Sequence, residues 1–306
     1  MNIFFMLLLK ILPLYGLILL GFLAGKFLKL EKEKIAILLI YFIAPVIVFK
    51  GVMRANIMAS NLSLPLLFLV LGILISLSFL FLSKFIWQDS TRNIIAFTSG
   101  TGNTGYFGLP VALALFGDEY LPLMVLALLG TILYENSLGF YLAARGNHSK
   151  TESFQRLLKL PAIYAFLLAL ALNLAGVKFG NSYENVTYGF QLAYTLLGMM
   201  IIGLGIASMV KIEFDLKFIS VAFLARFLVW PLSVFCIIFL NNAFFHFYGV
   251  EAQKIMILMS IVPLAANTVS YATLLKIHPG KAAMTVLLST IFALLYIPVM
   301  VMVFIK

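Results

Sequence analysis

The chain has 306 residues, a formal net charge of +10, 63% hydrophobic and only 10% charged residues, and a mean hydropathy of +1.11. Soluble domains carry roughly 25% charged residues, so this composition excludes a soluble globular protein and points to an integral membrane protein. Apolar runs of about 20 residues, enough to cross a hydrocarbon core of about 30 Å as helix, recur along the chain, and strands of alternating polarity, which a barrel requires, are absent.

In chain order the runs predict ten helical segments at 4–25, 35–53, 63–86, 93–116, 120–143, 157–175, 187–210, 217–240, 253–275 and 282–304. The first has an apolar stretch too long for a signal peptide and no small-x-small cleavage site, so it reads as a membrane span. The fourth contains GTGNTGYFGLP, with glycines at 100, 102, 105 and 108 and Pro110. The fifth, LALLGTILYENSLGF, places Glu135 beside Asn136 near its middle. The longest polar interval follows, RGNHSKTESFQR at 145–156. The seventh carries Gln191. The eighth holds Arg226 about halfway along and Cys236, whose solitude excludes a disulfide framework or a thiol metal site. The ninth contains VPLAANTVSYA at 262–272.

Lysine and arginine give an orientation, because cytoplasmic loops retain positive charge. Ten spans place fourteen on one side: Lys26, Lys29, Lys32, Lys34, Lys84, Arg92, Arg145, Lys150, Arg156, Lys159, Lys211, Lys217, Lys276 and Lys281. Five, Lys50, Arg54, Lys178, Lys254 and Lys306, fall on the other. Both termini are thus expected outside the cytoplasm, in a bacterial inner membrane. The basicity is a property of topology with membrane lipids as partner, and nucleic acid is not needed to explain it. Lys10 is near enough to the edge of its span to snorkel.

Five spans, a polar linker at 146–156 and five more divide the chain into 1–145 and 157–306. An odd number of spans per half makes any repeat an inverted one. The fourth span of each half carries an Asn-Thr pair, Asn103-Thr104 and Asn267-Thr268, among small residues and a proline. A helix broken at membrane depth frees backbone groups that lipid cannot satisfy, so breaks occur where protein or a watery cavity covers them. Two breaks at corresponding positions predict a site at which half-helix N-termini favour an anion and freed carbonyls a cation. Gly102, Gly108, Pro110 and Pro263 supply the geometry of the breaks. Candidate contacts to substrate or ion are Asn103, Thr104, Gly105, Asn267, Thr268 and Ser270. The same Asn and Thr side chains also suit capping of broken helix ends, and Tyr106 and Tyr271 suit either cavity lining or packing.

Glu135 is a candidate because an ionisable group inside a span is a functional hypothesis by default. It could carry a proton, bind Na⁺ with Asn136 nearby, or hydrogen-bond a neighbouring helix as a neutral acid. Arg226 could meet a substrate carboxylate, pair with Glu135, or snorkel to the inner interface. His148, His246 and His278 show no metal-ligand spacing. No Walker-type sequence or GxSxG elbow is present, so no enzyme is expected and no cofactor, only a coupling ion, H⁺ or Na⁺.

The run N-T-G-Y-F-G-L-P followed by A-L-F-G, the later A-N-T-V-S-Y-A and the ten-span layout resemble the auxin efflux carrier family of secondary transporters. That family is similar in fold to the bile-acid:sodium symporters. The resemblance implies an all-α membrane protein of ten helices in two inverted five-helix repeats, with helices 4 and 9 broken and crossing. It implies a scaffold of helices 1, 2, 6 and 7, transport helices 3–5 and 8–10, and a homodimer through the scaffold. The family includes plant auxin exporters, often with a long central loop, and bacterial carriers associated with malate or malonate. The short linker here favours a microbial carrier. The function expected is secondary active transport of small organic anions, carboxylates such as malate, malonate or auxin-like acids, by alternating access at the crossover. A sodium-coupled importer of bile-acid-like or other organic acids and a passive channel are the alternatives.

Overall fold

The computed structural model describes residues 3–54, 63–209 and 213–305. All regular structure among them is helical. Thirteen helices follow in order: α1 Ile3–Phe27, α2 Lys32–Arg54, α3 Ser63–Ser83, α4 Thr91–Ser99, α5 at 104–116, α6 Leu123–Ala144, α7 Lys150–Leu158, α8 Pro161–Leu174, α9 Asn181–Ala207, α10 Leu216–Phe245, α11 Val250–Ile261, α12 Asn267–Leu275 and α13 Pro279–Phe304. Among the described residues six helices are long and apolar enough to cross a membrane, and the pair α7 and α8, bent by 50°, makes a seventh span if counted as one. Large apolar side chains such as Leu19, Phe42, Leu74, Phe81, Leu167, Leu232 and Phe239 face outward. A surface of this kind matches a lipid solvent, in which outward Leu and Phe carry no penalty.

The fourth and ninth segments are each split, at 100–103 and 262–266, in the two stretches where a break is expected. Differences from the other expected segments have local causes. The seventh starts at Asn181, well before its apolar run, because helix continues through polar turns that carry Glu184 to an ion pair with Arg54. The polar interval at 145–156 is not a simple linker. Ser149 accepts from the Glu152 amide and Glu152 accepts from the Ser149 amide, a capping box that starts α7 inside it. Lys211 and Lys306, which entered the charge partition, and the side chain of Lys10 lie outside the described residues.

Close packing comes from glycine where backbones touch. A Cβ on Gly21 would lie 2.1 Å from the Met200 carbonyl oxygen, and one on Gly203 would lie 2.0 Å from that of Ile18. Helices α1 and α9 therefore meet backbone to backbone, as small residues permit in membranes. Residues of the turns and helix ends also meet one another. Lys32 donates to Ser208 at 2.8 Å, Lys281 pairs with Asp215 at 2.9 Å, His278 lies 3.2 Å from Ser90, and Asn147 donates to the Lys276 carbonyl at 3.1 Å.

Five π-helical turns interrupt the described helices: Leu38–Ile43, Thr104–Gly108, Glu135–Gly139, Leu224–Val229 and Asn241–Phe245. Three of them end two residues before a proline, Pro45, Pro110 or Pro231. Proline has no N–H for the carbonyl four residues earlier and crowds it; a wider turn relieves both faults without ending the helix. Pro110 accordingly lies inside α5, and the actual break is the stretch 100–103 that precedes it.

Candidate functional site

Helix α4 stops where Gly100 and Gly102 follow, and Thr98 and Ser99 turn their hydroxyls back to the carbonyls of Ile94 and Ile95, both at 2.7 Å. Helix α11 stops where Val262 turns extended and Pro263 offers no amide hydrogen. The two breaks touch: the Asn103 amide donates to the Pro263 carbonyl at 2.8 Å. The Leu264 amide, freed by its own break, donates to Ser289 Oγ at 3.2 Å. Helices α5 and α12 then restart at Thr104 and Asn267, with their positive dipole ends at the junction.

Glu135, on the π-helical turn of α6, ties the breaks together. Thr101 donates to its Oε1 at 2.5 Å and Asn267 Nδ2 to its Oε2 at 2.6 Å. Tyr106 donates to Asn267 Oδ1 at 2.7 Å, which fixes the amide: its oxygen faces the phenol and its nitrogen the carboxyl. The Tyr106 ring packs on Tyr194 with centroids 4.2 Å apart. Asn103 is held more loosely, its Nδ2 reaching Met199 Sδ at 3.7 Å and its buried Oδ1 having no hydrogen-bond partner. Gly102, Asn103, Thr104, Gly105, Glu135 and Asn267 line one narrow cavity. It adjoins a wider one through Gly105, Leu128, Ile132 and Tyr194. The wider cavity has mainly apolar walls, with Lys50 and Gln191 among its polar groups.

The other predicted residues do not line this cavity. Asn136 accepts from the Tyr271 hydroxyl at 3.0 Å and donates to the Ile132 carbonyl. Thr268 and Ser270 are fully buried, with hydroxyl oxygens that have no partner. Pro263 is in the second break itself. Gly108 donates its amide to the Asn103 carbonyl and closes the π turn. Arg226 packs against Gly102, where a Cβ would meet its guanidinium, and donates to the carbonyls of Val262 and Met259. Among the described residues no cluster of His, Cys, Asp or Glu could hold a metal ion.

Three contributors escape the sequence reading. Thr101 lies between two glycines and its hydroxyl looks incidental. Tyr194 is one aromatic in an apolar run. Lys50, counted with loop charges, is in the last turns of α2 at 6% exposure and donates to Gln191 at 3.0 Å. Its ionisable group within an apolar helix was the available signal.

The family model described as membrane transport protein matches residues 6–301. An uncharacterized transporter of Methanocaldococcus jannaschii is 26% identical over 293 residues, which cover 92% of this chain and 93% of the relative. With two helix breaks in contact around a buried polar cavity and a family match over nearly the whole length, the chain belongs to the membrane transport protein family, that of the auxin efflux carriers.

Proposed function

We propose that this protein is a secondary active transporter of small organic anions, with its site at the junction of the two breaks. The observation that carries this reading is the restart of two half-helices at one buried cavity, each with an Asn-Thr pair at its start. Positive helix ends and amide N–H groups suit a carboxylate, and the loosely held Asn103 amide is free to turn towards it. The apolar walls of the adjoining cavity suit an organic body. Glu135, bonded to both breaks, is positioned to register whether the junction is occupied, by exchanging a proton or a hydrogen-bond partner.

In this reading the chain forms ten spans in two inverted repeats, 1–145 and 157–306, with α4–α5 and α11–α12 as crossing helices 4 and 9. Helices 3–5 and 8–10 move against a scaffold of helices 1, 2, 6 and 7, and the site opens to one side at a time. The membrane is the bacterial inner membrane, with both termini outside the cytoplasm. An inside-negative potential contributes about 2.3 kcal/mol per charge per 100 mV to export of an anion.

Charge movement in proteoliposomes, with a panel of mono- and dicarboxylates, tests the proposal. A saturable current with one acid is expected, and the double variant Asn103→Ala, Asn267→Ala should lose it while remaining folded. Unaltered turnover in that variant would sink the proposed site.

A further inference from the structure

Two half-helices end at the junction, α4 at Ser99 and α11 at Ile261, and each presents the negative pole of its dipole and carbonyls with no continuing turn. A single helix, α10, covers both ends from neighbouring turns. Trp230 Nε1 donates to the Ser99 carbonyl at 2.8 Å. Four residues earlier, Arg226 donates from Nε to the Val262 carbonyl at 2.6 Å and from Nη2 to the Met259 carbonyl at 2.5 Å. The guanidinium carbon lies 5.2 Å from the Trp230 ring centre. Arg226 is 1% exposed, its hydrogen bonds include no carboxylate, and its Nη1 has no partner.

Burying a cation without an acidic partner is strongly unfavourable unless the surroundings supply equivalent charge. Here the surroundings are backbone oxygens at a break in a membrane helix. Unwound carbonyls and half-helix C-terminal ends of this kind coordinate Na⁺ in discontinuous transporter helices. A guanidinium keeps its charge inside proteins, and its two nitrogens already stand at hydrogen-bond distance from both oxygens. A metal ion could reach those oxygens only by displacing it, against like-charge repulsion.

We propose that Arg226 is the resident cation of the junction, a tethered substitute for a coupling Na⁺ at the carbonyls of Met259 and Val262, which makes anion transport independent of Na⁺. The proposal rests on the reading of the junction as the anion site. Gly102 explains how the charge serves that site without touching the anion. It lines the cavity, and a Cβ added to it would lie 2.3 Å from the Arg226 guanidinium carbon. The Gly102 backbone therefore borders both the cavity and the cation. Because the cation is part of the chain it cannot dissociate, so no Na⁺ gradient is linked to the cycle.

Full-length wild type and Arg226→Ala, both purified, are compared by thermal unfolding in sodium, guanidinium and choline chloride at low, equal ionic strength. Charge movement with malonate as probe is recorded in parallel. The wild type should unfold at the same temperature in sodium as in choline and give the same current. Arg226→Ala should unfold several degrees higher in sodium or guanidinium than in choline. A wild-type current that scales with Na⁺ at fixed voltage, or a folded Arg226→Ala blind to both cations, would overturn the proposal. If Arg226→Ala does not fold, Arg226→Lys decides: keeping a tethered cation, it should remain Na⁺-independent, and a Na⁺ requirement would sink the idea as surely. Failure of the anion-site reading looks different, because the double Asn variant would then transport normally while the unfolding results stood.

Discussion

Tyr106, Asn267 and Glu135 form a chain in which each group fixes the next. Tyr106 donates to the Asn267 oxygen, and the Asn267 nitrogen donates to Glu135. Tyr106→Phe keeps the ring on Tyr194 but leaves the Asn267 oxygen without its donor, at a cost of about 0.5–1.5 kcal/mol in unfolding free energy. It should also free the amide to flip, so transport should fall more than stability; a variant with unchanged transport and lowered stability would make the phenol structural only. Glu135 and the paired Asn residues were legible in the sequence because a carboxyl within a span and an amide within a break are each exceptional by themselves. Their partners were not. Thr101 and Tyr194 matter only through where two distant segments meet, and the carbonyls that Arg226 binds carry no sequence signal. Three roles were open for Arg226, and backbone capping was not among them.

The elements obey local rules to different depths. Apolar length located the long helices, and glycine-rich stretches located the breaks, but the π-helical turns were not foreseen, and Pro110 was read as part of a break. The boundary of α10 shows a rule that titrates. Asp215 caps it by accepting from the Phe218 amide at 3.0 Å and pairs with Lys281 at 2.9 Å. Burial alone would raise the Asp215 pKa; the Lys281 hydrogen bond, the Phe218 amide and the Lys281 charge outweigh it and hold the carboxyl below its ordinary value of 3.8. A depressed carboxyl stabilises fully above the ordinary value and loses that contribution as pH falls through the folded one. Asp215→Asn, which keeps a good cap, should therefore lower stability by no more than about 1 kcal/mol at neutral pH and by less in acid. Asp215→Ala should lose a further amount of about 0.5–2 kcal/mol from the missing cap. Chemical unfolding at neutral and acidic pH compares them, and an Asn deficit that grows in acid would contradict the assignment.

For the whole molecule, composition alone established the solvent, because a chain with 10% charged residues and outward-facing Leu and Phe has no aqueous fold to adopt. Orientation is a finer matter and is directly testable. In a Cys236→Ala background, Lys178→Cys should react with an impermeant maleimide in intact cells and Lys29→Cys only after permeabilisation. The reverse pattern would invert the proposed topology and, with it, the direction in which the membrane potential acts on an anion. What the sequence could not convey at this scale is how the halves engage, since the contact between Asn103 and Pro263 joins positions far apart in the chain.

The wide turn at Leu224–Val229 contains Arg226 and leads into Trp230, the two side chains that cap the ends of α4 and α11. Such a turn carries one residue more than the α-helical turn it replaces. Deleting Ala225 would thus do more than shorten α10: it would rephase one half of the helix against the other by about 100°, one residue's worth of an α-helical turn. Arg226 and Trp230 could no longer keep both caps while the helix on either side kept its packing. In this stretch the chain is constrained in residue number as firmly as in residue type, and a related protein with one residue fewer here would have to find another way to cover its two exposed helix ends.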